Sequence, residues 1–446
     1  MFEKILIANR GEIAVRINRA CQELGISTVA IHSEADKDSM HVRIADESVC
    51  IGPSAVNKSY LNAHSIISAC EITGAQAVHP GYGFLSENAS FAKMLEDHKL
   101  NFIGPKFQHI EMMGDKIQAK KIMKDYGVPV VPGSEGKIKD VEDAIKISNE
   151  IGFPVLLKAS AGGGGRGMQI VENEDELRKV LPILKQEALS FFGNNDIYVE
   201  KFVESPRHIE IQIMCDTHDN FIHLYERDCS IQRRNQKVIE EALAPEISED
   251  SKKKLYKICT DAMSKMGYLG LGTLEFLYSD GNFYFMEMNT RIQVEHPITE
   301  MITRVDLVRE QICIASGEKI FTNQDNIKPL GHSIECRINA ENPETFQPSA
   351  GQVQMYHAPA GNGIRLDTFI YSGYKVPHYY DNLLAKLIAT GRTRNHAIKR
   401  ALRALNEMVI DGIQTNIELH KKILSSNDFK RGAVPINWLE DNINKI

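Results

Sequence analysis

The densest set of chemically capable side chains in this 446-residue sequence lies in residues 272–296, GTLEFLYSDGNFYFMEMNTRIQVEH. Glu275, Glu287 and Asn289 sit among apolar residues on two strand-like runs flanking Asp280-Gly281. Two anions on one apolar-flanked face need a compensating cation, and two carboxylates with one amide form an all-oxygen set suited to Mg2+ or Mn2+. Magnesium at such a set commonly accompanies nucleotide phosphates. Arg291 and Glu295 follow at once on a loop ending at Pro297, more charge than a strand end needs for structure alone.

Register decides whether the two glutamates cooperate. A two-residue Asp280-Gly281 turn pairs 275 with 286 and sends Glu275 and Glu287 to opposite faces. A three-residue loop, Ser279-Asp280-Gly281 with a left-handed glycine, pairs 275 with 285 and puts both acids on one face, as diagonal neighbours about 7–8 Å apart. The metal-binding reading requires this second register. The alternative is that both glutamates are edge residues facing water, with Asn289 closing the strand.

A second chemical signal is KASAGGGGRGM, residues 158–168, with five glycines in six positions. Gly162, Gly164 and Gly167 satisfy GxGxxG, but VLLKAS before and MQIVEN after both read as strands, and the pattern carries meaning only between a strand and a helix. No Lys-Ser/Thr follows, which excludes a Walker A loop. Strand-loop-strand makes this a hairpin tip, either a flap whose backbone N–H groups face phosphates or a plain long loop.

The elements that must position these groups differ along the chain. KILIA, a helical stripe at Ile13, Ile17, Cys21 and Leu24, STVAIH, SVCIG, a helix near 59–73, QAVHP, a helix near 87–98 and NFIG predict a doubly wound, mostly parallel sheet. Its first turn, ANRGEIAV, has a single glycine, so a dinucleotide site is not expected there. Two helical stretches over 116–151 follow, and Asn173 with Glu176 predicts a capping box before Leu177, Val180, Leu181 and Leu184. In RHIEIQIMCD, Ile209, Ile211 and Ile213 alternate with His208, Glu210 and Gln212, predicting one packed face and one polar face able to line a cleft.

The remainder is exclusion. A net charge of −7 argues against a general nucleic-acid binder, and the runs Lys252-Lys253-Lys254 and Arg233-Arg234 do not alter that balance. No stretch approaches the roughly 18 apolar residues of a membrane span, and Arg10 and Glu12 break the start too early for a secretory segment, so a cytoplasmic location is expected. Eight cysteines without a CxxC pair indicate neither disulfides nor a zinc site. Cys229 reads as packing, and His79 and His296 read as hydrogen-bonded structural residues.

Lys116, Lys158, the glycine flap, EKF at 200–202 and the carboxylate hairpin together resemble an ATP-grasp enzyme, a fold that holds ATP between two α+β lobes. HPGYGFLSEN (79–88), KASAGGGGRGM, RDCSIQRRNQK (227–237), EMNTRIQVEHPITEM (287–301) and YYDNLLAKL (379–387) narrow this to a resemblance to the biotin carboxylase subunit over nearly the whole chain. The resemblance implies an α/β and α+β multidomain chain. It would comprise an N-terminal doubly wound domain (1–114), a central ATP-grasp domain (115–330) with a glycine-rich lid at about 131–203, and a C-terminal biotin carboxylase domain (331–446).

By the same resemblance, ATP is held by Lys116, Lys158, Gly163, Gly164, Gly165, Met168, Glu200, Lys201, Phe202, Val203, His208, Gln232, Asn235, Glu275, Leu277 and Glu287. Glu275, Glu287 and Asn289 hold one or two Mg2+ or Mn2+ ions; Lys237, Arg291, Gln293, Val294 and Glu295 hold bicarbonate; Arg337 and Tyr82 meet biotin. Asn235 departs from the family's usual His, removing a possible positive charge near the nucleotide. The implied reaction couples bicarbonate to ATP as carboxyphosphate, with Glu295 as base, then carboxylates biotin N1′ with Arg337 on the ureido oxygen.

No Met-Lys-Met biotinylation setting occurs in the sequence, so biotin is expected on a separate biotin carboxyl carrier protein. Carboxyltransferase subunits and a homodimer are expected as further partners. The implied setting is acetyl-CoA carboxylase in fatty acid biosynthesis or, alternatively, a two-subunit pyruvate carboxylase or another acyl-CoA carboxylase.

Overall fold

A computed structural model describes residues 1–159 and 167–445. The first hundred residues form a five-stranded parallel sheet of β1 (Lys4–Ile7), β2 (Ser27–Ser33), β3 (Glu47–Gly52), β4 (Ala77–His79) and β5 (Asn101–Phe102), in the order β3-β2-β1-β4-β5. Two of the helices between strands begin on polar caps: Asn62 accepts from Ser65 N and Asn88 from Phe91 N. This arrangement brings the loops after β1 and β4 together, as a doubly wound sheet does at its carboxyl edge. Asn9 ties them by donating to Pro80 O at 2.7 Å and Tyr82 O at 2.8 Å.

The helix Lys116–Asp125 leads to a small separate lobe. There β6 (Val155–Ala159), β7 (Met168–Val171) and β8 (Ile197–Lys201) make an antiparallel sheet in the order β7-β6-β8. The helix Glu174–Phe192 backs it, and Leu177, Leu181 and Leu184 meet Val155, Leu157 and Val199 in a core of its own. Lys158 pairs with Met168, so β6 and β7 enclose the glycine run as the sequence predicts. Gly163, Gly164 and Gly165 lie outside the described residues. Asn173 accepts from Glu176 N at 3.0 Å, but Glu176 returns to Glu172 N at 2.8 Å, one residue before a capping box would place it.

The site rests on an eight-stranded sheet. Its order is β13 (Asn282–Asn289), β12 (Gly270–Ser279), β9 (Arg207–Cys215), β10 (Phe221–Arg233), β11 (Gln236–Ala242), β14 (His332–Asn339), then Leu383–Gly391 and Ile364–Thr368. Ile209, Ile211 and Ile213 pack into a core with Leu274 and Phe276. The opposite face is polar as expected, yet every residue of β9 is buried. A fully buried Arg227 makes this possible, donating to Glu210, Gln212, Thr273, Gln293 and, on the covering helix His296–Thr303, Thr299.

The hairpin reaches its geometry by a different route from the predicted one. Ser279 pairs with Asn282 across a two-residue turn whose Asp280 and Gly281 have φ of 50° and 80°, the primed-turn geometry. That register alone would put Glu275 opposite Met286. Instead the ladder shifts between Phe276–Phe285 and Glu275–Glu287, so Met286 is a one-residue bulge. The three-residue loop is therefore corrected, because the extra residue sits within β13 rather than at the tip. Glu275 and Glu287 share a face as direct partners, not as diagonal neighbours.

Among the described residues, no helix is long and apolar enough to cross a membrane. All eight cysteines are free, and only Cys50 is exposed.

Candidate active site

Lid, hairpin, N-terminal loops and β14 surround one cleft of about 1290 Å³. Each described residue expected to bind a ligand lines it, and the N-terminal loops contribute Tyr82. At the end nearest the lid, Lys158 Nζ lies 2.5 Å from Glu200 Oε2, and Lys120, which sequence reading missed, pairs with the other oxygen of Glu200. Lys116 lies 3.0 Å from Glu287 Oε2. Burial and the neighbouring lysines pull Lys120 down to about 7 and Lys158 to about 8. Lys201 is turned away to Gly152 O and Phe153 O at 2.9 and 3.1 Å. Phe202, Val203, Leu277 and Met168 supply apolar wall, Met168 from the lid strand β7. The only signal for Lys120 was its place four residues after Lys116, one helical turn along the same face.

Asn235 closes the tight β10–β11 turn, where Arg234 and Asn235 have φ of 49° and 61° and Arg233 pairs with Gln236. Asparagine tolerates this left-handed backbone well, a local reason for its presence.

In the middle of the cleft, His208 stands 3.2 Å from Glu275 and 3.1 Å from Glu210, and Gln232 Nε2 meets its other ring nitrogen at 3.0 Å. Although burial opposes protonation, Glu275 and Glu210 raise the imidazole to about 9. Lys237 Nζ is the hub: it contacts Glu210, Glu275 Oε1 at 3.1 Å and Glu295 Oε1 at 2.7 Å. Burial alone would lower that lysine, yet the three carboxylates hold it well above its usual range. The same contacts keep Glu210, Glu275 and Glu295 ionised in spite of burial.

At the far end, Arg337 donates from Nε to Glu240 Oε1 at 2.5 Å and from Nη2 to Glu295 Oε2 at 2.9 Å. Arg291 donates to Glu87 at 2.8 Å and to Asn289 Oδ1 at 2.8 Å. Gln293 Nε2 donates to Glu275 Oε1 at 2.7 Å, and the carbonyl of Val294 accepts from Lys386 at 2.8 Å. Tyr82 donates its hydroxyl to Glu12. Cys229 Sγ is 4.0 Å from Glu295, and burial pushes its thiol well up, which fits packing rather than nucleophilic chemistry. His79 and His296 are fully buried and held neutral by that burial, as structural residues are.

Glu210, Glu87, Glu240, Arg227, Lys120 and Lys386 are among the polar residues of this region that the sequence did not single out as site residues. Glu210 was visible only as one polar position in an alternating strand; its partners come from β10 and β11.

Two carboxylates paired across the hairpin suit magnesium in charge and in donor type. Glu275 and Glu287 are cross-strand partners, both line the cleft, and Glu287 has a lysine as its ionic partner. Asn289 turns Nδ2 to Glu275 at 2.7 Å and Oδ1 to Arg291 at 2.8 Å, so its amide would have to rotate to complete an all-oxygen set.

The class follows from the central region. A lid lobe and a carboxylate hairpin facing each other across a lysine-lined cleft form an ATP-grasp domain, and residues 115–322 match the family model described as Carbamoyl-phosphate synthase L chain, ATP binding domain. On either side, residues 1–110 match Biotin carboxylase, N-terminal domain, and residues 335–441 match Biotin carboxylase C-terminal domain. Biotin carboxylase of Haemophilus influenzae is 55% identical over 441 residues, covering 99% of this chain and 98% of that protein.

Among solved structures, the biotin carboxylase–β-γ-ATP complex from Campylobacter jejuni superposes with a TM-score of 0.94 at 45% identity, covering 99% of both chains. The biotin carboxylase domain dimer of Hydrogenobacter thermophilus 2-oxoglutarate carboxylase, in complex with MgADP, ADP and bicarbonate, gives 0.92 at 48% identity, covering 100% of this chain and 98% of that one. The chain belongs to the biotin carboxylase family.

Proposed function

We propose that this chain carboxylates carrier-bound biotin with bicarbonate at the expense of ATP, giving N1′-carboxybiotin, ADP and phosphate. The observation that carries this reading is Glu295 held between Lys237 at 2.7 Å and Arg337 at 2.9 Å, in the same cleft as the Glu275–Glu287 pair. A proton acceptor, two cations for an oxyanion and a nucleotide-metal hairpin are the groups needed to activate bicarbonate.

The roles follow from position. Lys116, Lys158 and the lid hold the nucleotide, with Phe202, Val203 and Leu277 as apolar wall. Magnesium held by Glu275, Glu287 and Asn289 supplies charge neutralisation for the phosphate oxygens. Lys237 and Arg291 fix bicarbonate beside Glu295, which takes its proton; as Lys237 turns from Glu295 to the anion, the carboxylate becomes more basic. A bicarbonate oxygen attacks the γ-phosphorus, the bond to ADP breaks, and carboxyphosphate forms. Its collapse gives CO₂ and phosphate, phosphate takes the biotin N1′ proton while Arg337 stabilises the enolate-like ureido oxygen, and N1′ then attacks the carbon of CO₂ to form N1′-carboxybiotin. Closure of the lid excludes water from the mixed anhydride.

We propose further that biotin arrives on a carrier protein, that carboxyltransferase subunits use the carboxybiotin, and that the chain forms a homodimer. The full-length likeness to proteins named Biotin carboxylase supports the first two, and the dimeric Hydrogenobacter relative supports the third. The test is ADP release from magnesium-ATP. It should require bicarbonate, rise with free biotin and vanish in Glu295→Gln; ADP release indifferent to both additions defeats the reading.

A further inference from the structure

Lys386 is one of the buried cations of the described residues that the mechanism does not use. Lys386, from the strand Leu383–Gly391, is fully buried and has no place in the cleft wall. An ammonium is strongly hydrated, so removing it from water requires anionic or carbonyl partners of good geometry. Lys386 has two: Nζ donates to Val294 O at 2.8 Å and stands 3.1 Å from Glu12 Oε1. That same Glu12 oxygen accepts from the Tyr82 hydroxyl, and the second oxygen of Glu12 is buried without a partner. Lys386 also lies directly opposite Arg337 in the β14 ladder.

These contacts join four distant segments. Residue 12 opens the first helix, residue 82 lies on the loop after β4, residue 294 immediately precedes Glu295, and residue 386 belongs to the C-terminal region. The Val294 carbonyl and the Glu295 N–H share one peptide plane, so anchoring that oxygen fixes where the Glu295 side chain departs. Through Glu12 the same Nζ is tied to the Tyr82 hydroxyl, and Tyr82 and Arg337 line the same cleft.

We propose that Lys386 and Glu12 form a positioning pair that holds the bicarbonate loop and the biotin wall in register, so that one buried charge couples the two substrate sites. This rests on the biotin carboxylase reading of the cleft.

The experiment is steady-state kinetics of the full-length protein, varying ATP, bicarbonate and free biotin separately, for Lys386→Met, Glu12→Gln and Tyr82→Phe. Lys386→Met should raise KM for bicarbonate and for biotin at least tenfold while KM for ATP and calorimetric ADP affinity stay within twofold. Glu12→Gln should raise KM for biotin at least threefold and leave bicarbonate within twofold. Combining Lys386→Met with Tyr82→Phe should raise KM for biotin by less than the product of the single effects. A purely structural role would lower thermal stability and the active fraction but leave every KM unchanged, and that result overturns the proposal. Should Lys386→Met fail to fold, Glu12→Gln decides, because an unchanged KM for biotin refutes the coupling. Failure of the underlying reading is separate: the unaltered protein would then release ADP without regard to bicarbonate.

Discussion

Glu240 is the sharpest probe of how the biotin end of the cleft works. It is fully buried on β11, receives Arg337 Nε at 2.5 Å, and leaves its second oxygen without a partner. Burial pushes its carboxyl up to about 7 against the pull of Arg337, with Glu295 adding to the rise. Glu240→Gln keeps the shape and an acceptor but removes the charge that grips the guanidinium. Arg337 retains Glu295 at 2.9 Å, so the cation is not stranded, and the loss is that of one charge-assisted hydrogen bond, about 2 kcal/mol.

If that bond orients Arg337 for the ureido oxygen, kcat/KM for biotin should fall about 30-fold with KM for ATP unchanged. The pH dependence is diagnostic. The gripping form of Glu240 is ionised, so biotin-dependent kcat/KM should rise through about pH 7 in the unaltered protein and lose that inflection in the variant. Stability should move the other way. A carboxyl raised to about 7 when folded binds a proton that the unfolded chain releases near pH 4.3, so it destabilises increasingly as pH rises between those values, by about 4 kcal/mol at pH 8. The variant should therefore match or exceed the parent in urea resistance at pH 8 while being slower. A biotin kcat/KM within twofold of the parent, with the inflection intact, would refute the reasoning.

Glu287→Gln should raise KM for magnesium-ATP and cut bicarbonate-dependent ADP release on the order of 100-fold with the circular dichroism spectrum unchanged, since Glu287 is not a core residue. His41 and His420 are buried and pulled down to about 4 by that burial, so each is neutral when folded and takes a proton on unfolding below about pH 6.5. Stability is full above that value and should fall by about 3 kcal/mol per residue as pH drops to 4; a urea midpoint unchanged between pH 7 and 5 would contradict this. Asn235→His should leave KM for ATP within about threefold, because the position is fixed by its turn; a tenfold change would assign it a direct hold on the nucleotide.

Much of the frame is legible in local pattern. The parallel N-terminal sheet follows from alternating strands and helices, the lid from strands on both sides of the glycines, and the polar face of β9 from its strict alternation. The hairpin shows the limit. Asp-Gly suits a two-residue turn and a three-residue loop, and nothing local to Met286 announces a bulge, since its apolar neighbours fit either register.

Glu240, Lys386 and Arg227 escaped for a related reason. Each lies on a strand, where a charge normally marks the solvent side, and only the tertiary arrangement brings Glu240 to Arg337 of β14, Arg227 to Glu210 of β9 and Lys386 to Glu12 of the first helix. Charge compensation across strands is a long-range property, and no single segment contains it.

The central claim is that an oxygen of bicarbonate attacks the γ-phosphate. Mass spectrometry of the phosphate released from ATP and 18O-labelled bicarbonate, with free biotin and magnesium present, tests it directly. Transfer of one 18O atom to each phosphate is the predicted result. Unlabelled phosphate formed at the same rate would mean that water is the nucleophile, and the assignment of Glu295, Lys237 and Arg291 to bicarbonate would be wrong.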